Sequence, residues 1–291
     1  MQSKKSPMSE PQVLVNGILF GESPRWHDGR LWFADWGARE LIAVDAKGTS
    51  DVMVRLPFPS FQAICFDWLP DGRQIIVSSQ EARLLRQESD GSLVTHADLG
   101  SLSRGWNEIV VDGRGNAYIN GGGFDVLAGE EFAPRLVALV TPDGSARQVA
   151  DGIAFGNGMA VTPDNSTLIV AESYGRRLTA FDISADGSLS DRRVWADLGE
   201  GVPDGICLDA EGAVWYADVP NKRRVRVRQG GTVLQTVDLD RGCFACMLGG
   251  TDHSTLFLIG REWHGMASTA DTTRTGQVLT VHAPAPHAGR P

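Results

Sequence analysis

The sequence lacks the features that mark a membrane or secreted protein. No stretch approaches the roughly 18 consecutive apolar residues of a membrane helix. The first eleven residues contain no apolar core like that of a secretory signal. We therefore expect a cytoplasmic protein with no membrane partner.

Basic residues are also in short supply. Lys and Arg number 27 against 36 Asp and Glu, which gives a formal net charge of −9. Nucleic-acid binding depends on clustered Lys and Arg that neutralise phosphates, whereas the one basic run, at 222–228, is interrupted by valines. We interpret that run as the solvated face of a strand and expect no nucleic-acid partner.

Cysteine is rare, with four residues in 291. Cys243 and Cys246 form a Cys-x-x-Cys pair, but a structural zinc site needs a second such pair or a histidine pair at matching spacing. Cys65 and Cys207 lie in apolar runs, where a free cysteine behaves as a small buried hydrophobic residue.

The sequence also contains no Gly-x-Ser-x-Gly motif, which argues against a serine hydrolase.

Glycine, by contrast, is abundant at 34 residues, and turns separate short runs rich in Val, Ile, Leu, Trp and Phe. Six segments of the form strand, polar turn, strand can be superimposed. They start at positions 22, 62, 107, 157, 204 and 243. A period of about 40 to 50 residues with four short strands per unit is typical of a β-propeller blade. The sequence therefore predicts an all-β, six-bladed β-propeller over residues 12–283.

A propeller must close its ring, because an open edge strand invites aggregation. We expect the early strand at 13–15 to pair with the late strand at 277–281, so that N- and C-terminal strands complete one blade. Residues 1–11 and 284–291 are predicted to be disordered tails, the second because of its Ala and Pro content.

The first position of each repeat is polar in most blades, and the innermost strands of a propeller line its central channel. We therefore expect these side chains to converge on the axis. The carboxylates of Glu22 and Asp204 and the amides of Asn107 and Asn157 are ligands that suit a hard divalent cation. In addition, two facing carboxylates repel each other unless a cation lies between them. For any one residue alone, a hydrogen bond to a turn is the simpler interpretation. Gln62 is a weaker candidate, and Cys243 would face the channel as a lone thiol. The four candidates are Glu22, Asn107, Asn157 and Asp204.

Four ordered motifs carry a family resemblance: Gly-Glu-Ser-Pro-Arg-Trp at 21–26, Trp-Asn-Glu at 106–108, Gly-Asn-Gly at 156–158 and Pro-Asp-Gly at 203–205. They resemble the regucalcin/gluconolactonase (senescence marker protein-like) family of six-bladed propeller lactonases. The resemblance implies one divalent cation held by Glu22, Asn157 and Asp204, with Asn107 near the metal or substrate. It also implies hydrolysis of a small-molecule lactone. Ca²⁺ is the first candidate for the metal, ahead of Mg²⁺, Mn²⁺, Zn²⁺ and Fe²⁺.

Two departures from the family pattern affect substrate recognition. Arg104 lies three residues before Asn107, whereas the family arginine usually lies two before, which puts recognition of sugar hydroxyls in doubt. Glu108 stands where the family commonly has aspartate. Trp106 at the channel mouth would suit a more apolar substrate, or it packs there as a cap. We predict substrate contacts from Arg104, Trp106 and Asn107.

Asp204 is our candidate general base, because Pro203 and Gly205 favour a fixed side-chain position. A covalent role, in which its carboxylate attacks the substrate, stays open. Other functions also remain open: a phosphotriester or phosphofluoridate hydrolase on the same site, a non-hydrolytic enzyme related in fold to the strictosidine synthases, and a non-catalytic binding propeller. We expect a monomer or a weak homo-oligomer.

Overall fold

Each sequence repeat folds into one antiparallel sheet, and the six sheets form the blades of a propeller. The computed structural model of the chain describes residues 10–124, 129–269 and 271–291. Neighbouring innermost strands contact one another in a closed ring around the central channel. The predicted six-bladed β-propeller is thus confirmed. No helix in the described residues is long and apolar enough to cross a membrane.

The strands follow one another through the blades in chain order. Blade 1 comprises β2 (Gly21–His27), β3 (Arg30–Asp35), β4 (Glu40–Val44) and β5 (Ser50–Arg55). Blade 2 comprises β6 (Ile64–Trp68), β7 (Gln74–Ser78), β8 (Arg83–Gln87) and β9 (Leu93–Asp98). Blade 3 comprises β10 (Trp106–Val111), β11 (Ala117–Gly121), β12 (Arg135–Val140) and β13 (Ala146–Ile153).

The second half of the ring repeats this arrangement. Blade 4 comprises β14 (Gly156–Val161), β15 (Thr167–Glu172), β16 (Arg177–Ile183) and β17 (Leu189–Asp197). Blade 5 comprises β18 (Pro203–Asp209), β19 (Val214–Asp218), β20 (Arg223–Val227) and β21 (Val233–Asp238), joined by the short β25 (His287–Ala288). Blade 6 comprises β22 (Gly242–Gly249), β23 (Thr255–Arg261), β24 (Gly276–His282) and β1 (Gln12–Ile18), with a 3₁₀ turn at Met266–Ser268.

Blade 6 closes the ring with strands from the two ends of the propeller. β1 pairs antiparallel with β24, with Val13 opposite Leu279 and Val15 opposite Val278. This is the closure that the sequence predicts. Because β1 occupies the outer position of blade 6, the early segment of the chain is held by backbone pairing to the late one.

The C-terminal segment differs from its predicted disorder. In β25, Ala288 lies opposite Leu208 of β18, and the backbone of Arg290 exchanges two hydrogen bonds of 2.8 Å with Val161 of β14. Ala285 is buried. The segment is ordered because exposed backbone groups of two neighbouring blades pair with it. Of the predicted N-terminal tail, residues 1–9 lie outside the described residues.

The basic run at 222–228 is not a fully solvated face, which corrects the sequence interpretation. Arg224 and Arg226 on β20 are both buried. The Arg224 guanidinium donates to the carbonyls of Ala245 and Ile259 in blade 6, at 2.5 and 2.6 Å. Arg226 pairs with the Asp209 carboxylate at 2.7 Å. Arg224 therefore lies between blades 5 and 6, where carbonyl oxygens satisfy its charge, and a carboxylate of blade 5 satisfies that of Arg226.

Candidate active site

A cavity of about 810 Å³ opens at one end of the central channel. The starts of the innermost strands of blades 1, 3, 4 and 5 reach it, as the repeat alignment predicts. The cavity lies within the ~300 to 1,000 Å³ range of pockets that enclose small organic ligands. All six residues predicted for the site line it: Glu22, Arg104, Trp106, Asn107, Asn157 and Asp204.

Breaks in strand register aim the polar side chains into the cavity. The pairing of β2 with β3 shifts between Glu22 and Arg25, and that of β10 with β11 shifts between Trp106 and Glu108. Similar shifts occur at 156–159 of β14 and 203–206 of β18. A bulge re-aims a side chain where pairing is interrupted. The four candidates therefore turn inward at the points where their strands leave regular pairing.

Glycines next to these residues let the innermost strands approach closely. A Cβ atom at Gly158 would lie 2.5 Å from the Ile206 nitrogen and 2.7 Å from the Asp204 carbonyl oxygen. A Cβ atom at Gly205 would lie 2.7 Å from the Ala245 Cα. Such distances are below any normal contact, so only glycine fits there. The close approach brings Asn157 of blade 4 and Asp204 of blade 5 together at the bottom of the cavity. This part of the cavity, formed by Glu22, Asn107, Asn157 and Asp204, is here named the floor.

The two carboxyl groups of the floor are buried and influence each other. Glu22 is 6% and Asp204 8% exposed. Burial raises the pKa of Glu22 well above its ordinary value, and the negative charges of Asp204 and Glu108 add to the rise. Burial likewise raises the pKa of Asp204 well above its ordinary value, against the opposing Arg224 guanidinium. The floor therefore concentrates negative charge that two protons or a cation would neutralise.

The two amides of the floor are held in one orientation by hydrogen bonds. Asn107 Nδ2 donates to Asn157 Oδ1 at 3.1 Å and to the Gly156 carbonyl at 3.3 Å. Asn157 Nδ2 donates to Ser173 Oγ at 3.4 Å, and that hydroxyl donates to the Pro203 carbonyl at 2.7 Å. Both amide nitrogens thus point at protein oxygens. Asn107 Oδ1 is therefore left available to a cation or substrate, and Asn157 Oδ1, which already accepts from Asn107, keeps its second lone pair for the same purpose.

The floor rests on a buried ion-pair network that sequence reasoning did not identify. Glu108 accepts hydrogen bonds from Ser23 Oγ at 3.1 Å and from the Ile109 nitrogen at 2.8 Å, and it pairs with Arg25 at 3.2 Å. Arg25 also lies 3.7 Å from the Asp67 carboxylate. Arg25 lies within the Gly-Glu-Ser-Pro-Arg-Trp motif at 21–26, and its charge amid apolar strand residues is the signal that could have identified it. Glu108 is committed to this network and not to the cavity floor.

The residues of the floor fit a hard divalent cation. Asp204 Oδ1 is buried and has no hydrogen-bond partner among the described residues, an expensive state for a polar atom unless something binds it. Oxygen atoms of two carboxylates and two amides form a donor set that Ca²⁺ and similar ions prefer. No group of three or more His, Cys, Asp and Glu side chains in the described residues is arranged to hold an ion, so the cation would depend on the two amide oxygens as well as the two carboxylates. The floor is therefore the candidate metal centre.

The three residues predicted to contact substrate have different positions. Asn107 lies on the floor, half-buried beside Asn157. Arg104 is exposed at the rim in the loop before β10. Trp106 is fully buried and packs in the hydrophobic cluster between blades 2 and 3. The indole of Trp106 thus takes the packing role that the sequence left open, while its contact with substrate stays a prediction.

The other two positions of the repeat column do not reach the floor. Cys243 is buried, and its Sγ lies 3.6 Å from the Arg241 carbonyl oxygen. The expected channel-facing thiol is therefore wrong, because the register shift between Cys243 and Ala245 turns the Phe244 ring into the cavity instead. Gln62 is buried, and its Oε1 accepts a hydrogen bond from the Gln80 nitrogen at 2.9 Å.

Aromatic side chains form two opposite sides of the cavity, and sequence reasoning did not assign them to the site. One group, here named the tryptophan wall, comes from blades 1, 2 and 6; the other, the tyrosine wall, comes from blades 3 and 4. Most members lie in loops outside the aligned repeat column, so no positional signal connected them. The tryptophan wall consists of Phe20, Trp36, Phe61, Phe244 and Trp263, and the tyrosine wall of Phe124, Phe155 and Tyr174.

Arg135 is a further cavity residue that the sequence did not identify. It begins β12, is buried, and donates from Nη1 to the Gly156 carbonyl at 3.1 Å. Its guanidinium lies 3.8 Å from the centre of the Phe155 ring, a cation–π contact. Burial lowers the pKa of Arg135 to about 10, so it stays charged at neutral pH.

A family profile, curated sequences and solved structures all match this chain over most of its length. Residues 20–260 match the sequence profile described as the SMP-30/gluconolactonase/LRE-like region. Regucalcin of Xenopus laevis is 30% identical over 268 residues, covering 84% of each chain. The 6-deoxy-6-sulfogluconolactonase of Pseudomonas putida is 24% identical over 303 residues, covering 100% of this chain and 98% of that one. The crystal structure of a calcium-binding protein, regucalcin, from Agrobacterium tumefaciens superposes with a TM-score of 0.75 at 23% identity, covering 98% of both chains.

Proposed function

The chain belongs to the SMP-30/gluconolactonase/LRE-like family, and from this premise we propose that it is a divalent-metal-dependent hydrolase that opens a lactone. The observation that carries the proposal is the convergence of Glu22, Asn157 and Asp204 on one buried floor, where Asp204 Oδ1 has no hydrogen-bond partner among the residues that the structure describes. A non-catalytic binding propeller has no need of facing carboxylates at the bottom of a cavity.

Glu22, Asn157 and Asp204 would hold the cation through their side-chain oxygens, with Asn107 beside them. Ca²⁺ is our first candidate, and the similar Agrobacterium protein is a calcium-binding protein by name. A bound divalent cation would supply Lewis acidity for the lactone carbonyl and stabilise the negative charge that develops on it. The hydrogen bonds from Asn107 and Asn157 to neighbouring oxygens fix the geometry of the floor before substrate arrives.

Asp204 is proposed as the general base. It takes a proton from the water whose oxygen attacks the carbonyl carbon, and the ring C–O bond then breaks. The proton passes to the departing ring oxygen, which becomes the hydroxyl of the hydroxy-acid product. Burial raises the pKa of Asp204 in the metal-free protein, and the positive charge of a bound cation would oppose that rise, so that the carboxylate is ionised and able to accept a proton.

The test combines metal analysis with hydrolysis. Purified protein is analysed for bound metals, treated with EDTA, and assayed for proton release from lactones before and after Ca²⁺, Mn²⁺ or Zn²⁺ is returned. We expect EDTA to remove activity and one of the ions to restore it. Asp204→Asn keeps the side-chain size and one oxygen but removes the base, and we expect it to lower kcat by about 100-fold or more. Near-normal turnover by this variant would refute the assignment.

The same assay separates the alternatives left open by the sequence. Metal-dependent hydrolysis of a phosphotriester without lactone hydrolysis would replace the lactonase proposal with a phosphotriesterase. Absence of bound metal together with absence of any hydrolysis would favour a binding propeller or a non-hydrolytic enzyme. A covalent role of Asp204 would appear as an acyl-enzyme mass in quenched reactions.

A further inference from the structure

We propose that the preferred substrate is a lactone bearing an aryl or extended alkyl substituent, and not a bare sugar lactone. This inference rests on the proposed lactonase function and concerns the part of the substrate that lies above the reacting ring. The observation behind it is the pair of aromatic walls, which rise on opposite sides of the floor that holds Glu22 and Asp204.

The tryptophan wall is a continuous set of aromatic contacts. Phe20 stacks on Trp36 with ring centres 5.1 Å apart and meets Phe61 at 5.9 Å and Phe244 at 4.8 Å, both edge to face. Phe244 in turn meets Trp263 at 5.3 Å. Each ring is thus held by a neighbour. A fixed aromatic surface of this kind binds flat apolar groups with little loss of side-chain freedom.

The tyrosine wall presents a second held surface. Phe155 and Tyr174 stack with ring centres 4.7 Å apart, and Phe124 meets Phe155 at 5.7 Å. The Arg135 guanidinium packs on the Phe155 ring and fixes it further. Tyr174 is 51% exposed. So large an exposed ring at a cavity mouth gains free energy when an apolar group covers it.

The tryptophan wall and the neighbouring Gln80 offer few hydrogen-bonding groups to sugar hydroxyls. Trp36 Nε1 donates to the Ile64 carbonyl at 2.7 Å, so the indole presents only apolar surface. Gln80 Oε1 accepts from Ser60 at 3.2 Å and its Nε2 donates to the Phe61 carbonyl at 3.3 Å. These side chains are already engaged within the protein. A polyhydroxylated ring enclosed here would lose hydrogen bonds to water that these groups do not replace.

Three lactones with the same six-membered ring test the inference. δ-Valerolactone has no substituent, D-glucono-δ-lactone has hydroxyl groups, and δ-phenyl-δ-valerolactone has an aromatic one. We measure kcat/KM for each with the metal-loaded wild-type protein. The phenyl compound is expected to exceed both others by about tenfold or more, because apolar contacts made in the transition state raise kcat/KM.

The outcomes distinguish this inference from the function on which it rests. Hydrolysis of all three lactones with gluconolactone equal to or better than the phenyl compound would overturn the substrate class and leave the lactonase intact. Hydrolysis of none of them under metal-loaded conditions would refute the lactonase itself and the substrate class with it.

Variants of the two walls supply an independent check. Trp36→Ala and Tyr174→Ala should each lower kcat/KM for the phenyl lactone by about tenfold while changing that for δ-valerolactone by less than about threefold. Trp68→Ala is the matched control, because Trp68 is also half-buried but ends β6 and does not line the cavity. It should leave the ratio of the two substrates unchanged. Tyr174 is exposed, so its variant keeps the test open if Trp36→Ala fails to fold. Equal losses for both substrates in Tyr174→Ala would refute the inference.

Discussion

The hydroxyl of Ser173 donates a hydrogen bond of 2.7 Å to the carbonyl oxygen of Pro203, the residue immediately before Asp204. The same hydroxyl accepts from Asn157 Nδ2 at 3.4 Å. Ser173 follows β15 of blade 4, so one hydroxyl connects a proposed metal ligand of that blade with the proposed base of blade 5. Residues that orient ligands in this way tune a metal site without touching the metal.

Replacing Ser173 should therefore weaken the site while leaving the fold intact. We expect Ser173→Ala to lower cation affinity by about tenfold, measured by calorimetric titration of EDTA-treated protein. Ser79→Ala is the matched control, because Ser79 follows β7 in the same position of blade 2 and also lines the cavity. Within the described chain it has no side-chain hydrogen bond to a neighbouring innermost strand. Equal affinities in the two variants would contradict a positioning role for Ser173.

The ion pair beneath the floor should contribute to stability. Arg25 and Glu108 are both buried and lie 3.2 Å apart, and removal of one partner leaves the other charge buried without compensation. We expect Arg25→Met to lower the free energy of unfolding by about 3 kcal/mol, measured by urea denaturation. Adding Glu108→Gln should recover part of the loss, since the uncompensated charge is then removed.

A surface pair provides the comparison for this prediction. Arg176 and Glu200 lie 3.0 Å apart, with 52% and 89% of their side chains exposed. Because water screens such a pair, we expect Arg176→Met to lower the free energy of unfolding by less than about 1 kcal/mol. If Arg25→Met lowers the free energy of unfolding by no more than Arg176→Met does, the buried ion pair does not stabilise the protein.

Most of what the sequence predicted correctly, the six-bladed fold and the residues of the floor, came from the six-fold sequence repeat. A fixed spacing of strand and turn determines the blade number, and equivalent positions in a ring meet at the axis by symmetry. Glu22, Asn157 and Asp204 all line the cavity, as this symmetry predicts. The same prediction was wrong for Cys243, because a bulge shifts the register locally and turns Phe244 into the cavity instead. Such irregularities depend on packing between neighbouring strands and leave no signal in the spacing.

The aromatic walls and Arg135 could not be predicted by the same reasoning. Tyr174 and Trp36 follow second strands, whereas Arg135 begins a third strand, and these positions are separated in sequence by other elements. Their proximity arises from the tertiary arrangement of five blades. For Arg224 the prediction was wrong. Its charge indicated an exposed side chain, but the side chain is buried because carbonyl oxygens of blade 6 accept its hydrogen bonds.

Arg104 at the cavity rim should affect substrate binding more than the chemical step. Its side chain is exposed and lies in the loop before β10. We expect Arg104→Ala to raise KM by about threefold to tenfold for a lactone that the enzyme hydrolyses, with kcat nearly unchanged. Steady-state kinetics of proton release measures both constants. Arg83→Ala is the control, since Arg83 is exposed on β8 outside the cavity. A fall in kcat with constant KM would instead place Arg104 at the reacting atoms.

The attachment of the C-terminal segment should weaken in acid through His287. Burial lowers the pKa of His287, although the hydrogen bond of 2.7 Å from its Nε2 to the Pro291 carbonyl opposes the shift. The folded state therefore favours neutral imidazole, so the stabilisation is complete above the ordinary pKa of about 6.5 and declines as the pH falls below it. We expect wild-type protein to lose more stability between pH 7.5 and 5.5 than His287→Gln, measured by urea denaturation. His282→Gln, at an exposed position on β24, should follow the wild type. An identical pH dependence for wild type and His287→Gln would show that His287 is not the responsible group.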